Sequence, residues 1–237
     1  MSRTIAIDRT LMPQYMGDAT TFSTEDFFRK FPEEPAATIY SRIRRLIKQG
    51  LIHRIGRGRY AVGRATEFIP VIDGEYKCLQ ADIKAEFPYS DMIIWSLSSI
   101  NVLLQHMVNI NLTIIDIDRD SVESLYWLLK GKGYNVITRK RMFDGLSEYD
   151  GFIFIRPLVT SAPKVEIEGV HSAAIEKILV DIACDKEFET FRGSELTHIF
   201  ENAYDNFSVN SDRLLRYAGR KDKREYVKTI LKQLNRQ

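Results

Sequence analysis

Residues 35–63 read PAATIYSRIRRLIKQGLIHRIGRGRYAVG, and the fold of the N-terminal part turns on this stretch. Pro35 suits the first turn of a helix, where its missing N–H has no intrahelical partner to lose. Ile39, Ile43, Leu46 and Ile47 then recur at helical spacing, which predicts an amphipathic helix from about Pro35 to Gln49, with Gly50 as its stop. The opposite face collects Ala37, Thr38, Ser41, Arg44, Arg45 and Lys48, flanked by Tyr40 and Arg42. Beyond Gly50, the runs Leu51–Ile55 and Arg59–Gly63 enclose Gly56-Arg57-Gly58, the pattern of a β-hairpin with a glycine-bearing turn. Arg54, Arg57 and Arg59 lie on or beside that turn. Upstream, Ser23 is a good N-cap for a short helix carrying Glu25 and Asp26 in its first turn and Phe27, Phe28 and Phe31 on its apolar side. Pro32-Glu33-Glu34-Pro35 is the turn between the two helices.

A helix, a turn, a second helix with a basic outer face and a basic hairpin follow one another in the order of a winged helix-turn-helix. A helix fills the major groove and brings its exposed side chains to base edges, while hairpin arginines meet phosphates or the minor groove. The expected DNA contacts are Thr38, Ser41, Arg44, Arg45 and Lys48 on the helix and Arg54, Arg57 and Arg59 on the wing. Charge agrees with this. The whole chain has 34 Lys+Arg against 32 Asp+Glu, but residues 1–64 carry a net charge of +6 and the remainder −4. A basic module on a near-neutral body points to a polyanionic partner. Two other readings stay open: a solvated basic face, and a degenerate winged helix serving as a protein-interaction module.

A chain of 237 residues accommodates two domains. Its composition, 44% hydrophobic and 28% charged, excludes wholesale disorder. The cysteines, Cys78 and Cys184, cannot form a disulfide framework or a C-x-x-C metal site, which implies a reducing compartment and a cytoplasmic location. Met92–Ile115 lacks Asp, Glu, Lys and Arg and is long enough to span a bilayer, yet its many Ser, Asn, Gln, His and Thr residues favour a buried strand–helix–strand unit. A short helix is expected over Leu79–Phe87. Strands are expected at Met92–Trp95, Leu112–Ile117, Tyr134–Ile137, Gly151–Ile155 and Lys164–Glu168. Helices are expected at Ser98–Met107, Ser121–Lys130, His171–Cys184, Gly193–Phe207 and Asn210–Leu234, the last either one long helix or two with a break near Gly219-Arg220. The fold expected is therefore α/β (α+β): residues 1–66 as a winged helix-turn-helix, and 67–237 as a mixed-sheet α/β domain with a helical C-terminal end.

At Glu176-Lys177-Ile178-Leu179-Val180-Asp181, late in the chain, and again at Arg213–Arg220, the sequence resembles the AbiEi-type antitoxins of type IV abortive-infection toxin–antitoxin systems. The resemblance in motif covers about seven residues, whereas the layout of winged helix, α/β part and helical end extends over nearly the whole chain. It implies a repressor of its own operon that antagonises a nucleotidyltransferase-like toxin. Candidate partner-binding residues are Glu176, Lys177, Asp181, Arg213, Arg216 and Arg220; the basic cluster of Arg213, Arg216, Arg220, Lys221, Lys223 and Arg224 also reads as a solvated helix or a second DNA contact. Helical spacing alone places Glu176 and Lys177 on the polar side, with Lys177 and Asp181 as an i,i+4 pair worth a few tenths of a kcal/mol if exposed.

An enzyme is the remaining reading. Asp116, Asp118 and Asp120 at a strand end, with Lys164, Glu166 and Glu168, raise a Mg-dependent nuclease as an alternative. Their K-x-E-x-E order is not the acid-then-lysine order such a site wants. His53, His106, His171 and His198 stand apart with no i,i+4 pair, and no phosphate-binding glycine loop or nucleophile elbow occurs. The expectation is a binding protein without catalytic residues, cofactor or metal, its oligomeric state open.

Overall fold

A reciprocal pair of hydrogen bonds starts the N-terminal helix where the sequence places it. Ser23 Oγ accepts the Asp26 N–H at 3.1 Å and Asp26 Oδ2 accepts the Ser23 N–H at 2.8 Å, so two otherwise orphaned donors are satisfied together. The computed structural model describes residues 21–48, 51–56, 58–63, 67–72, 74–142 and 146–234. Within it, β1 (Thr21–Ser23) leads into α1 (Thr24–Lys30), and α2 (Ala36–Lys48) follows the proline turn. The Pro35 carbonyl accepts the N–H groups of Thr38 and Ile39.

The hairpin strands are β2 (Ile52–Gly56) and β3 (Arg59–Val62), and β3 is the middle of a three-stranded antiparallel sheet in the order β1-β3-β2. Its register pairs Phe22 with Tyr60 and Arg54 with Tyr60 from the two sides, and slips between Arg54 and Gly56. Such a bulge bends the strand where the turn begins. Gly58 has φ +68°, and its carbonyl accepts the Thr24 N–H at 2.7 Å. A side chain there would crowd Thr24 Oγ1 at 3.1 Å, so both conformation and space call for glycine. Phe22, Phe27, Ile39, Ile43, Leu46, Leu51, Ile52 and Tyr60 form the core of this unit. Burying each large apolar side chain contributes about 1.5–3 kcal/mol before the entropy of ordering is charged against it. Ile47, expected in the buried stripe, is exposed: the sheet covers a narrower strip of α2 than helical periodicity alone implies.

The second unit is built on Ile-rich runs without alternation, the signature of strands covered on both faces. After α3 (Gly74–Glu86) come β4 (Met92–Ser96), β5 (Leu112–Ile117), α4 (Val122–Gly131), β6 (Val136–Thr138) and β7 (Phe152–Pro157). The sheet order is β4-β5-β7-β6; β4 runs antiparallel to β5, and β5, β7 and β6 are mutually parallel. A two-stranded hairpin, β8 (Lys164–Ile167) and β9 (Val170–Ala173), precedes α5 (Ile175–Cys184), α6 (Ser194–Asn206), α7 (Ser211–Arg220) and α8 (Arg224–Gln233). The class is mixed α/β, with helices and several sheets.

Some elements depart from expectation. The segment read as a helix over Ser98–Met107 is a 3-10 helix ending at Leu103. The helix placed at His171–Cys184 starts only at Ile175, because Val170–Ala173 pairs in register with β8 and tertiary hydrogen bonding overrides the local pattern. The expected Leu79–Phe87 helix begins five residues earlier, at Gly74. The C-terminal segment is two helices, with the break at residues 221–223 directly after Gly219-Arg220, where Asp222 adopts φ +56°. Among the described residues no helix is long and apolar enough to cross a membrane; Met92–Ile115 holds β4, the 3-10 turn and much of β5. The chain divides into two compact units, one of Met1–Glu67 with Asn206–Asp212, the other of Phe68–Asp205 with Arg213–Gln237.

Candidate functional site

In the first unit, packing decides which face of α2 is presented. Ile39, Ile43 and Leu46 point into the core, which turns Thr38, Ser41, Arg44 and Arg45 to solvent. Arg42 is held by Glu34 at 2.5 Å and lies 5.0 Å from the Phe31 ring centroid, so it ties the helix to the preceding turn. Arg44 and Arg45 have no ion-pair partner among the described residues. On the hairpin, Arg54 is exposed and Arg59 half-buried. Arg57 and the side chain of Lys48 lie outside the described residues. His53 Nδ1 is 3.0 Å from the Gly63 carbonyl, closing the hairpin's open end.

The second unit contains a buried charge network that sequence reading does not assemble. Asp116 on β5 and Arg156 on β7 are register partners in the parallel sheet, and Arg156 Nε lies 2.6 Å from Asp116 Oδ1. Lys177 on α5 reaches Asp116 Oδ2 at 2.7 Å and Asp181 Oδ2 at 2.6 Å. Arg156 also pairs with Asp181, and reaches Asp185 at 3.0 Å. Lys221 Nζ sits 2.7 Å from both Asp181 and Asp185, and the Tyr217 hydroxyl donates to Asp181 Oδ1 at 2.9 Å. Trp95 Nε1 donates to Asp116 at 3.3 Å, and its ring lies under Lys177 Nζ at 5.5 Å. Arg139 extends the network, 4.0 Å from Asp185 and 2.5 Å from Glu187, so four carboxylates meet four cations and the formal charges balance. Arg213 adds a further pair with Glu176 at 2.6 Å.

The electrostatics follow from this packing. Burial alone would push the Asp181 carboxyl up, but the charges of Lys177, Arg156 and Lys221 overcome it and hold it well below the usual carboxylate range. Burial likewise opposes the charged forms of Arg156 and Lys221, and the surrounding aspartates raise both. Asp185 goes the other way, raised by burial and by the charge of Asp181. Burial and Asp181 push the Tyr217 hydroxyl up, and burial pushes the Cys184 thiol up to about 12. Cys184 is accordingly no nucleophile at neutral pH.

These positions correct the partner-surface reading. Glu176, Lys177 and Asp181 are fully buried, so none can meet a partner in this conformation. The i,i+4 Lys177–Asp181 pair forms, but inside the core rather than on a solvated face. Of the expected partner residues, Arg216 and Arg220 are exposed, and Arg213 is spent on Glu176. The nuclease set does not converge either. Both Asp116 oxygens are occupied by cations, Glu168 pairs with Lys77 at 2.5 Å, Lys164 with Asp91 at 2.5 Å, and Glu166 lies 3.8 Å from His171. Among the described residues no group of three His, Cys, Asp or Glu side chains is placed to hold a metal ion. Sequence reading missed Arg156, Trp95, Asp185 and Tyr217, and counted Lys221 only in a basic cluster with Arg213, Arg216 and Arg220, whereas it sits on Asp181 and Asp185. A signal was present, since a lone charge inside the apolar runs FIFIRP and LTIIDI needs a buried partner.

The fold and these sites define a two-unit mixed α/β protein with an exposed basic helix in one unit and a neutralised ionic core in the other. The chain belongs to DUF6577, a family of unknown function, whose model matches residues 38–237. No curated protein matches the sequence. Among solved structures, the RV2827C protein from Mycobacterium tuberculosis is similar at 17% identity and a TM-score of 0.31, over 89% of this chain and 70% of that one.

Proposed function

We propose that the N-terminal unit is a winged helix-turn-helix that binds duplex DNA, with α2 as the recognition helix and the β2–β3 hairpin as the wing. The observation that carries this reading is the division of α2: Ile39, Ile43 and Leu46 inward, Thr38, Ser41, Arg44 and Arg45 outward, both arginines without an acidic partner among the described residues. Unpaired guanidinium groups on one helix face suit guanine edges and phosphates. In this reading the protein is a cytoplasmic transcriptional autoregulator without a catalytic step, and an antitoxin-like antagonist of a nucleotidyltransferase-like toxin. The resemblance of the 176–181 segment supports the antitoxin half. Because that segment is buried, it acts as a frame, and the toxin would meet exposed residues such as Arg216 and Arg220.

Binding of a labelled fragment from upstream of the protein's own gene, beside a scrambled duplex and at two salt concentrations, tests the proposal. Preference for the native fragment supports an autoregulator. No binding to either duplex by folded protein rejects it in favour of a protein-interaction module.

A further inference from the structure

The carboxyl ends of β5, β6 and β7 open on a cavity of about 520 Å³. This is a position and size typical of small-molecule sites in open α/β sheets. Val122, Ile155 and Pro157 give it an apolar floor, and Thr138 contributes a buried hydroxyl. Arg119, Arg139, Lys140 and Glu123 supply its charges. Two of these four are already committed. Glu123 is clamped by Arg141, with 2.6 and 3.1 Å contacts, and that hydrogen bonding lowers its carboxyl's pKa. Arg139 is held by Glu187 at 2.5 Å. Arg119 and Lys140 have no ion-pair partner among the described residues. Asp118, the chain neighbour of Arg119, accepts the Asp91 N–H at 3.1 Å, and neither it nor Asp120 lines the cavity.

We propose that this cavity binds a small phosphorylated organic ligand, its phosphate between Arg119 and Lys140 and its body over Val122, Ile155 and Pro157. Lys140 acts on the Glu123 carboxylate only at a distance, and two positive charges without a close ion pair match a phosphomonoester dianion better than a single carboxylate. The arginine fork adds paired donors to phosphate oxygens. The cavity starts at α4, whose N-terminus favours an anion and whose N-cap Ser121 makes no side-chain capping bond. The apolar floor asks for an organic body and not a bare ion. This site lies wholly in the second unit and is independent of the DNA-binding proposal.

Calorimetric titration of the full-length protein with adenosine monophosphate, inorganic phosphate and adenosine separates the parts of the ligand. The expected order is monophosphate tightest, phosphate at least tenfold weaker, and the uncharged nucleoside weaker still. The Arg119→Ala/Lys140→Ala double variant, checked for unchanged circular dichroism and melting, is expected to lose at least tenfold in affinity for the monophosphate. The Lys130→Ala variant, outside the cavity, is expected to bind as the parent does. Failure of both phosphate-bearing probes to bind overturns the proposal, as does undiminished binding by the double variant. Loss of DNA affinity in that variant, with no competition by the monophosphate, would instead make the rim a nucleic-acid contact and also overturn it.

Discussion

Asp181 accepts from Lys177, Arg156, Lys221 and Tyr217 at once, and of these donors Lys177, Arg156 and Tyr217 are cut off from solvent. Buried pairs contribute little net stability when complete, but breaking one leaves an uncompensated charge. Asp181→Asn keeps the shape and removes the charge, and is expected to cost about 3–5 kcal/mol, measured by urea unfolding. The sign of the pH dependence follows from the direction of the shift. The Asp181 carboxyl is lower in the folded state than in the unfolded chain, so its contribution is fully present above the unfolded value of about 3.9 and is lost as pH falls through the folded one. The stability gap between parent and Asp181→Asn therefore narrows on acidification below about pH 4. Asp185 is raised, so its contribution is present below the unfolded value and lost as pH rises through the folded one. Asp185→Asn is expected to cost less than Asp181→Asn at neutral pH. An equal or larger cost would refute this assignment of the two carboxylates.

At the scale of elements, α2 and its hairpin divide their labour in the DNA-binding proposal. Arg45, exposed on the outer face, is expected to read a base edge, so Arg45→Ala relaxes sequence preference, with a loss of about 1–3 kcal/mol on the native operator alone. A wing arginine meets backbone phosphate, so Arg57→Ala weakens all duplexes alike and reduces the salt slope by about one unit. Equilibrium binding to native and scrambled duplexes across a salt series distinguishes the two patterns. These elements were legible because α1, α2 and the hairpin are specified by neighbours in sequence: a capping box, a proline, a helical stripe and a glycine turn. The sheet strands were legible from unbroken Ile-rich runs. What was not legible depends on distant partners. β9 looked like the start of α5 because four residues carry too little periodicity, and only pairing with β8 fixes them as strand. Glu176 and Lys177 looked solvent-facing because nothing near them in sequence announces Arg213 or Asp116.

For the whole molecule, each unit has an apolar cluster of its own among the described residues. Phe27, Ile39 and Ile43 lie in the cluster of the first; Met92, Ile115 and Ile155 lie in that of the second. The ionic network also falls entirely within the second unit. Both of the chain's tryptophans, Trp95 and Trp127, are in that unit as well, so intrinsic tryptophan fluorescence reports on it alone, while far-ultraviolet circular dichroism reports on the helices of both. Phe27 is fully buried against Phe22 with centroids 5.2 Å apart, and Phe27→Ala is expected to cost the first unit about 3–5 kcal/mol. A unit of this size has little stability to spare, so this variant melts at lower temperature by circular dichroism while its fluorescence midpoint stays with the parent. Asp181→Asn gives the converse, a lowered fluorescence midpoint with the early circular dichroism phase unmoved. Coincident shifts in both signals for both variants would mean that the chain unfolds as one cooperative body, and that the two cores do not define independent folding units.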